Sequence, residues 1–110
     1  MPRRYLVVGT GLIGTSIAMG LRAAGHTVLL ADTDADALQV AITASGGQAW
    51  DGSDNVDVAV VATPPATVPT VMGELATALP RAVITDVSSV KGLVQAQTGS
   101  LILSLIHISE

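Results

Sequence analysis

Three glycines lie close together near the start of the chain, in the stretch VVGTGLIGTS. They are Gly9, Gly11 and Gly14, which follow a short apolar run and open a segment with helical spacing. The first glycine permits a tight turn, the second lets a pyrophosphate approach the backbone, and the third lets a helix pack close to a strand. Free N–H groups at a helix N-terminus favour negative charge. The pattern predicts a dinucleotide phosphate site, which also includes the first helical residues, Leu12 and Ile13.

An acidic residue follows at the spacing that such a site needs. Asp32 comes directly after the apolar stretch TVLLA, about 20 residues beyond the glycines. Its carboxylate could accept hydrogen bonds from both hydroxyls of an adenosine ribose, whereas a 2′-phosphate would meet a like charge. Asp34 and Asp36 add to that repulsion, and no Arg or Lys lies between Ala23 and Thr43. We therefore predict NAD rather than NADP as cofactor. The alternative is a solvated Asp32 that caps a turn.

The elements that must position these residues alternate along the chain. Aliphatic runs predict strands at residues 4–8, 27–31, 48–50, 57–62 and 82–85. Helical spacing predicts helices at residues 12–24, from a cap at Thr33 or Asp34 to about 45, after a cap at Thr67, and from near 89. The order βαβαββαβα, with short connections, predicts an α/β fold. We expect a Rossmann-like, doubly wound parallel sheet with right-handed crossovers, truncated before its last strand.

Composition supports this fold and excludes several classes of function. Hydrophobic residues make up 49% of the 110 residues and Phe is absent, so the core must be aliphatic, as in a sheet buried on both faces. With five basic residues and a net charge of -4, the chain lacks a basic nucleic-acid surface. It has no cysteine and no run of about eighteen apolar residues. We expect a cytoplasmic domain without metal, nucleic acid or membrane.

Three stretches resemble one family, the prephenate and arogenate dehydrogenases. GTGLIGTSIAMGLRAAGHTV is similar to the family's opening, and Leu12, Ile13 and Ser16 make the match narrower than the general glycine pattern. VDVAVVATPP resembles its fourth strand and Pro-ending turn, and ITDVSSVKG resembles its D-V-x-S-V-K segment. The resemblance covers roughly residues 4–98. It implies NAD-dependent oxidative decarboxylation of prephenate or arogenate, a step of tyrosine biosynthesis.

The resemblance also implies roles for residues outside the glycine loop. The cofactor would take a hydride from the ring carbon that bears the hydroxyl, while a base takes the hydroxyl proton. Ser89 would be a catalytic residue near that hydroxyl and the base, although helix capping would explain a serine here equally well. Thr63 and Pro64 would border the cofactor and touch its ribose or phosphates. The alternative is that they only end the strand.

The family's base is a histidine followed by proline, and neither histidine of this chain matches it. His26 lies in a turn at the wrong end of the sheet, and no proline follows His107. His107 belongs to LSLIHISE, Leu103 to Glu110, which matches a translated reading frame of a transposon-derived sequencing adapter. We therefore hypothesise that residues 1–102 are part of a dinucleotide-binding domain and that residues 103–110 are a non-native tail.

On this hypothesis the helical domain that forms the family's homodimer and closes its substrate site is absent. Such a fragment would bind NAD but would not turn over substrate. Two alternatives remain open. The first is another NAD(P)-dependent oxidoreductase for a hydroxyacid or an imine, against which Leu12, Ile13 and DVSSVKG argue. The second is a non-catalytic dinucleotide-binding module, which would lack the histidine without truncation.

Overall fold

The computed structural model describes residues 2–87. The predictions for Ser89, for the helix near it, for His107 and for residues 103–110 lie outside these residues. Within them, strands and helices alternate in the predicted order. They are β1 Arg4–Val8, α1 Leu12–Ala23, β2 Thr27–Ala31, α2 Ala35–Ser45, β3 Gln48–Ala49, β4 Val58–Val61, a 3-10 turn Pro65–Thr67, α3 Val68–Ala78 and β5 Val83–Asp86.

The five strands form one parallel sheet in the order β3-β2-β1-β4-β5. The chain moves outward from β1 to β2 and β3, and then returns to place β4 on the other side of β1. The strand order therefore reverses between β1 and β4, where ligands bind in open α/β sheets. Val8, the last residue of β1, pairs with Ala31 of β2 and with Val61 of β4. The three strands thus end level, and the loops that follow them begin at one edge.

Both faces of the sheet are buried under helices, as the aliphatic strand sequences predict. One face, with Val7, Leu30 and Val60, packs against Ile17 and Leu21 of α1 and Ala41 of α2. The other face, with Leu6, Leu29 and Val61, packs against Leu75 and Leu79 at the end of α3. The predicted doubly wound, Rossmann-like architecture is confirmed for the described residues. None of their helices is long and apolar enough to cross a membrane.

The end of α1 and the start of α2 are each determined by a single residue. Gly25, just beyond α1, has a φ of 92°, and this left-handed conformation ends the helix as predicted. The Asp34 carboxylate accepts hydrogen bonds from the backbone N–H groups of Asp36 and Ala37 at 3.0 and 3.1 Å. Of the two predicted caps, Asp34 is therefore the one that serves α2.

The prediction that Thr67 caps α3 is wrong. Thr67 precedes the helix, but its side chain makes no capping hydrogen bond. The 3-10 turn before α3 gives Thr67 a helical backbone, with φ -95° and ψ -11°, whereas a capping residue is extended. Its hydroxyl instead donates backward to the Pro64 carbonyl at 2.7 Å. The predicted bounds of β3 and of the end of α1 differ from the observed ones by one residue, and those of β4 and β5 differ by one residue at each end.

Candidate functional site

The glycine loop connects β1 to α1 and packs against the end of β4. Gly9 has a φ of 100°, which side chains rarely adopt, and a Cβ there would lie 2.7 Å from the Ala62 carbonyl oxygen. Its N–H donates to the Ala31 carbonyl at 2.8 Å, and the Ala62 N–H donates to the Val8 carbonyl at 2.8 Å. The turn is therefore bonded to the ends of both neighbouring strands, and its conformation requires glycine.

Gly14 lies beneath this turn, in the first turns of α1. It is buried, and a Cβ on it would overlap the Gly9 carbonyl oxygen and lie 3.4 Å from the Ala62 side chain. Any larger residue would push the helix away from the loop. The close helix–strand packing predicted for the third glycine is therefore present in the structure.

Gly11 differs from the other two glycines of the motif. Its φ is -71°, and a Cβ on it would meet no described protein atom within 4 Å. Neither strain nor packing explains glycine here, but the free space suits a ligand that must approach the backbone. Gly11 is also the N-cap of α1 and offers no side chain to the helix. The first N–H groups of α1 are thus left for an anion or solvent.

Asp32 follows β2 and is bonded directly to the glycine loop. Its Oδ2 atom accepts hydrogen bonds from the Thr10 backbone N–H at 2.7 Å and from the Thr10 hydroxyl at 2.6 Å. Its Oδ1 atom accepts from the Asp34 N–H at 2.8 Å. Burial raises the pKa of Asp32, but hydrogen bonds from Thr10, Asp34 and Thr33 together hold this pKa below its usual value. The carboxylate is therefore ionised at neutral pH.

An open cleft of about 990 Å³ lies beyond the carboxyl ends of β1, β2 and β4. The glycine loop and Asp32 form one side of it. The turn after β4, which includes Thr63 and Pro64, and the side chains of Val71 and Glu74 on α3 also line it. No Lys or Arg is among its lining residues in the described part of the chain. The volume is in the range of sites for small ligands and cofactors.

Thr63 lines both this cleft and a smaller cavity of about 390 Å³. The smaller cavity is also lined by Ile13, at the start of α1, and by Asp86 and Val87, at the end of β5. The Thr63 hydroxyl is buried and has no hydrogen-bond partner among residues 2–87. A buried polar group without a partner costs about 1–3 kcal/mol. A polar ligand group at the junction of the two cavities would remove that cost.

The structure brings together most of the predicted site residues. Seven of them line the larger cleft: Gly9, Gly11, Leu12, Ile13, Asp32, Thr63 and Pro64. Gly14 does not line it, because it lies under the loop. Ser89 is outside the described residues. Within those residues, no group of three or more His, Asp or Glu side chains could hold a metal ion.

Sequence reasoning missed the other lining residues, among them Thr10, Trp50, Val71 and Glu74. A signal existed for Trp50, because it directly follows β3 and so lies at the same sheet edge as Asp32. A signal also existed for Val71 and Glu74, which are three residues apart on the helix that follows the Pro-ending turn. Nothing in the sequence distinguishes Thr10 from any other residue between two glycines.

The comparisons with known proteins agree with this geometry. The model of the family described as "NADP oxidoreductase coenzyme F420-dependent" matches residues 4–90. The "Probable prephenate dehydrogenase NovF" of Streptomyces niveus is 44% identical over 63 residues, which are 57% of this chain and 17% of that protein.

Two solved structures have the same fold. The arogenate dehydrogenase of Synechocystis superposes with a TM-score of 0.69 at 26% identity, over 93% of this chain and 37% of that one. The prephenate dehydrogenase of A. aeolicus, in complex with hydroxyphenyl propionate and NAD+, gives a TM-score of 0.66 at 22% identity, over 78% of this chain and 33% of that one. The chain thus spans well under half the length of these relatives.

Proposed function

The chain belongs to the oxidoreductase family described as "NADP oxidoreductase coenzyme F420-dependent" and is an NAD(P)-binding domain, and from this premise we propose that it is the cofactor-binding part of an NAD-dependent prephenate or arogenate dehydrogenase. The reaction is an oxidative decarboxylation in tyrosine biosynthesis. The nicotinamide cofactor would supply the hydride acceptor, and the chain's own residues would bind and orient it.

One observation carries the proposal: an ionised Asp32 is hydrogen bonded to the loop that opens α1, at the edge of a cleft of suitable size. A pyrophosphate at the N-terminus of α1 would contact the N–H groups of Leu12 and Ile13, next to the space above Gly11. The adenosine ribose would then lie toward β2, where the carboxylate can accept its hydroxyl hydrogens.

The charges around Asp32 favour NAD over NADP, although the family's description names NADP. Asp32, Asp34 and Asp36 lie within one short stretch, and a 2′-phosphate would meet this group of carboxylates. A site for NADP needs a cation beside the ribose, and no Lys or Arg lines the described cleft. Repulsion between like charges in a half-buried site therefore supports NAD.

The other end of the dinucleotide would reach the junction of the two cavities. The Thr63 hydroxyl, which has no partner among residues 2–87, would bond a polar group of the nicotinamide half there, and Pro64 would border the same path. The smaller cavity, lined by Asp86 and Val87, would then receive the substrate ring. Ser89 follows two residues later in the sequence, and this nearness supports a catalytic role for it at the substrate hydroxyl.

The choice of substrate is supported by the likeness to the Streptomyces niveus and Synechocystis proteins. A histidine base, a helical substrate domain, a homodimer and a cytoplasmic location belong to the same proposal for the whole protein. The chain alone would bind NAD without turnover, since His26 lies in the turn before β2, at the opposite edge of the sheet from the cleft.

The first test compares NAD and NADP titrations of the chain, followed through the fluorescence of Trp50, the only tryptophan, which lines the cleft. We expect NAD to bind at least about tenfold more tightly than NADP, which corresponds to about 1.4 kcal/mol. Asp32→Ala should weaken NAD binding and remove the difference between the cofactors.

Asp54→Ala is the matched control, because Asp54 is an exposed acid that pairs with Arg81 at 3.3 Å and does not line the cleft. It should leave both titrations unchanged. Equal affinity of the wild-type chain for NAD and NADP would contradict the assignment of NAD, and binding of neither would contradict the proposed function as a whole.

A further inference from the structure

Thr10 lies between the first two glycines of the loop, and its side chain is placed unusually for a loop residue. It is only 5% exposed, and among residues 2–87 it is the one polar residue that is buried. Its carbonyl accepts a hydrogen bond from the Thr15 hydroxyl at 3.1 Å, which holds the loop against α1. The proposed binding of phosphates and ribose gives this side chain no role.

Thr10 makes two hydrogen bonds to a single carboxylate oxygen. Its backbone N–H and its hydroxyl lie 2.7 and 2.6 Å from Asp32 Oδ2. The shorter distance is typical of a hydroxyl that donates to an ionised carboxylate. The residues are 22 positions apart in the sequence, so this contact joins the loop after β1 to the end of β2.

These bonds restrict how the Asp32 carboxylate can turn. The Thr10 hydroxyl and N–H hold Oδ2, and the Asp34 N–H holds Oδ1 at 2.8 Å. Rotation of the carboxylate away from the cleft would break all three bonds. Thr10 has a β-branched side chain with few rotamers, and its burial limits them further, so the hydroxyl is itself fixed in place.

We propose that the Thr10 hydroxyl is a positioning group that holds the Asp32 carboxylate toward the ribose site and so enforces the preference for NAD. This inference rests on the proposed function and adds to it a residue that acts through Asp32. A carboxylate fixed before binding loses little conformational freedom when a ribose hydroxyl arrives. The same carboxylate cannot turn aside for a 2′-phosphate.

The test uses Thr10→Val, which keeps the branched shape and removes the donor, and Thr10→Ser, which keeps the donor. Both variants are made in the full chain and titrated with NAD and NADP. Thr10→Val should weaken NAD binding about five- to tenfold, the range expected for the net loss of one intramolecular hydrogen bond, and should bring the NAD and NADP affinities closer together. Thr10→Ser should stay within about twofold of the wild type for both cofactors.

A double-mutant cycle separates positioning from a purely structural role. In the Asp32→Ala background, Thr10→Val should cause no further loss of NAD affinity, because its effect passes through the carboxylate. Thermal unfolding of each variant checks that it is folded. Equal losses in both backgrounds would show that Thr10 only supports the loop and would overturn the proposal.

Two other results would also overturn it. Tighter NAD binding by Thr10→Val would mean that the hydroxyl competes with the ribose for Oδ2. Unchanged binding by Thr10→Val, in a wild-type chain that does bind NAD, would mean that the N–H groups position Asp32 unaided. If the wild-type chain bound neither dinucleotide, the proposed function would fail and this inference would fail with it.

Discussion

At the scale of single residues, the site depends on a carboxylate whose charge is stabilised by its neighbours. Hydrogen bonds from Thr10, Asp34 and Thr33 outweigh the burial of Asp32 and lower its pKa. The role of Asp32 can be predicted from the sequence, because its position directly after a strand follows from the order of the elements. The sequence does not predict the bond to Thr10, because the direction of that side chain depends on the left-handed backbone of Gly9, with φ 100°.

The lowered pKa of Asp32 predicts how the free energy of unfolding changes with pH. A carboxyl group with a depressed folded-state pKa stabilises the fold fully above its unfolded pKa of about 4, and this contribution disappears as the pH falls through the folded value. The wild-type chain should therefore exceed Asp32→Asn in stability at pH 7, and the difference should shrink toward pH 3. Urea unfolding at several pH values measures it, and a difference independent of pH would contradict the assignment.

At the scale of elements, the sequence predicts the bounds of strands best where apolar runs are bounded by glycines. The bounds of β1 and β2 match the prediction, because these strands are buried on both faces and each is flanked by loop residues. It predicts least where one residue type has two possible roles. Asp34 caps α2, but the Thr67 hydroxyl bonds backward, because the turn after Pro64 and Pro65 gives Thr67 helical angles before the helix begins.

Substitutions at Asp34 and Thr67 give a matched pair of stability measurements. Asp34→Ala removes two hydrogen bonds to the first turn of α2 and should lower the free energy of unfolding by about 1 kcal/mol. Thr67→Ala leaves the N–H groups of α3 as they are and should change it by about 0.5 kcal/mol or less. Urea denaturation of both variants provides the comparison, and a larger loss for Thr67→Ala would show that its hydroxyl does support α3.

At the scale of the whole molecule, binding and folding are coupled because the cleft exists only when β1, β2 and β4 are assembled. The candidate site is made of the loops after these strands and of the face of α3 toward the cleft. A sequence can predict that these loops share an edge, because parallel strands end on the same side. It cannot predict the second cavity, which depends on how close β5 comes to the start of α1.

This coupling predicts that NAD stabilises the chain against heat. A ligand present at about 100 times its Kd adds about 2.7 kcal/mol to the free energy of unfolding, which raises the Tm of a domain of this size by several degrees. A thermal scan with and without NAD measures the shift. Asp54→Ala should preserve the shift and Asp32→Ala should reduce it. No shift in a chain that binds NAD by titration would mean that the dinucleotide also binds the unfolded chain.

The level endings of β1, β2 and β4 also limit how this protein can evolve. Side chains alternate between faces along a strand, so inserting or deleting one residue within β1 would exchange the positions of Leu6 and Val7 between the two cores. It would also displace the glycine turn by about 3.3 Å relative to Asp32. Changes in length should therefore accumulate in loops at the opposite edge, such as the one before β2, while the strands change by substitution alone.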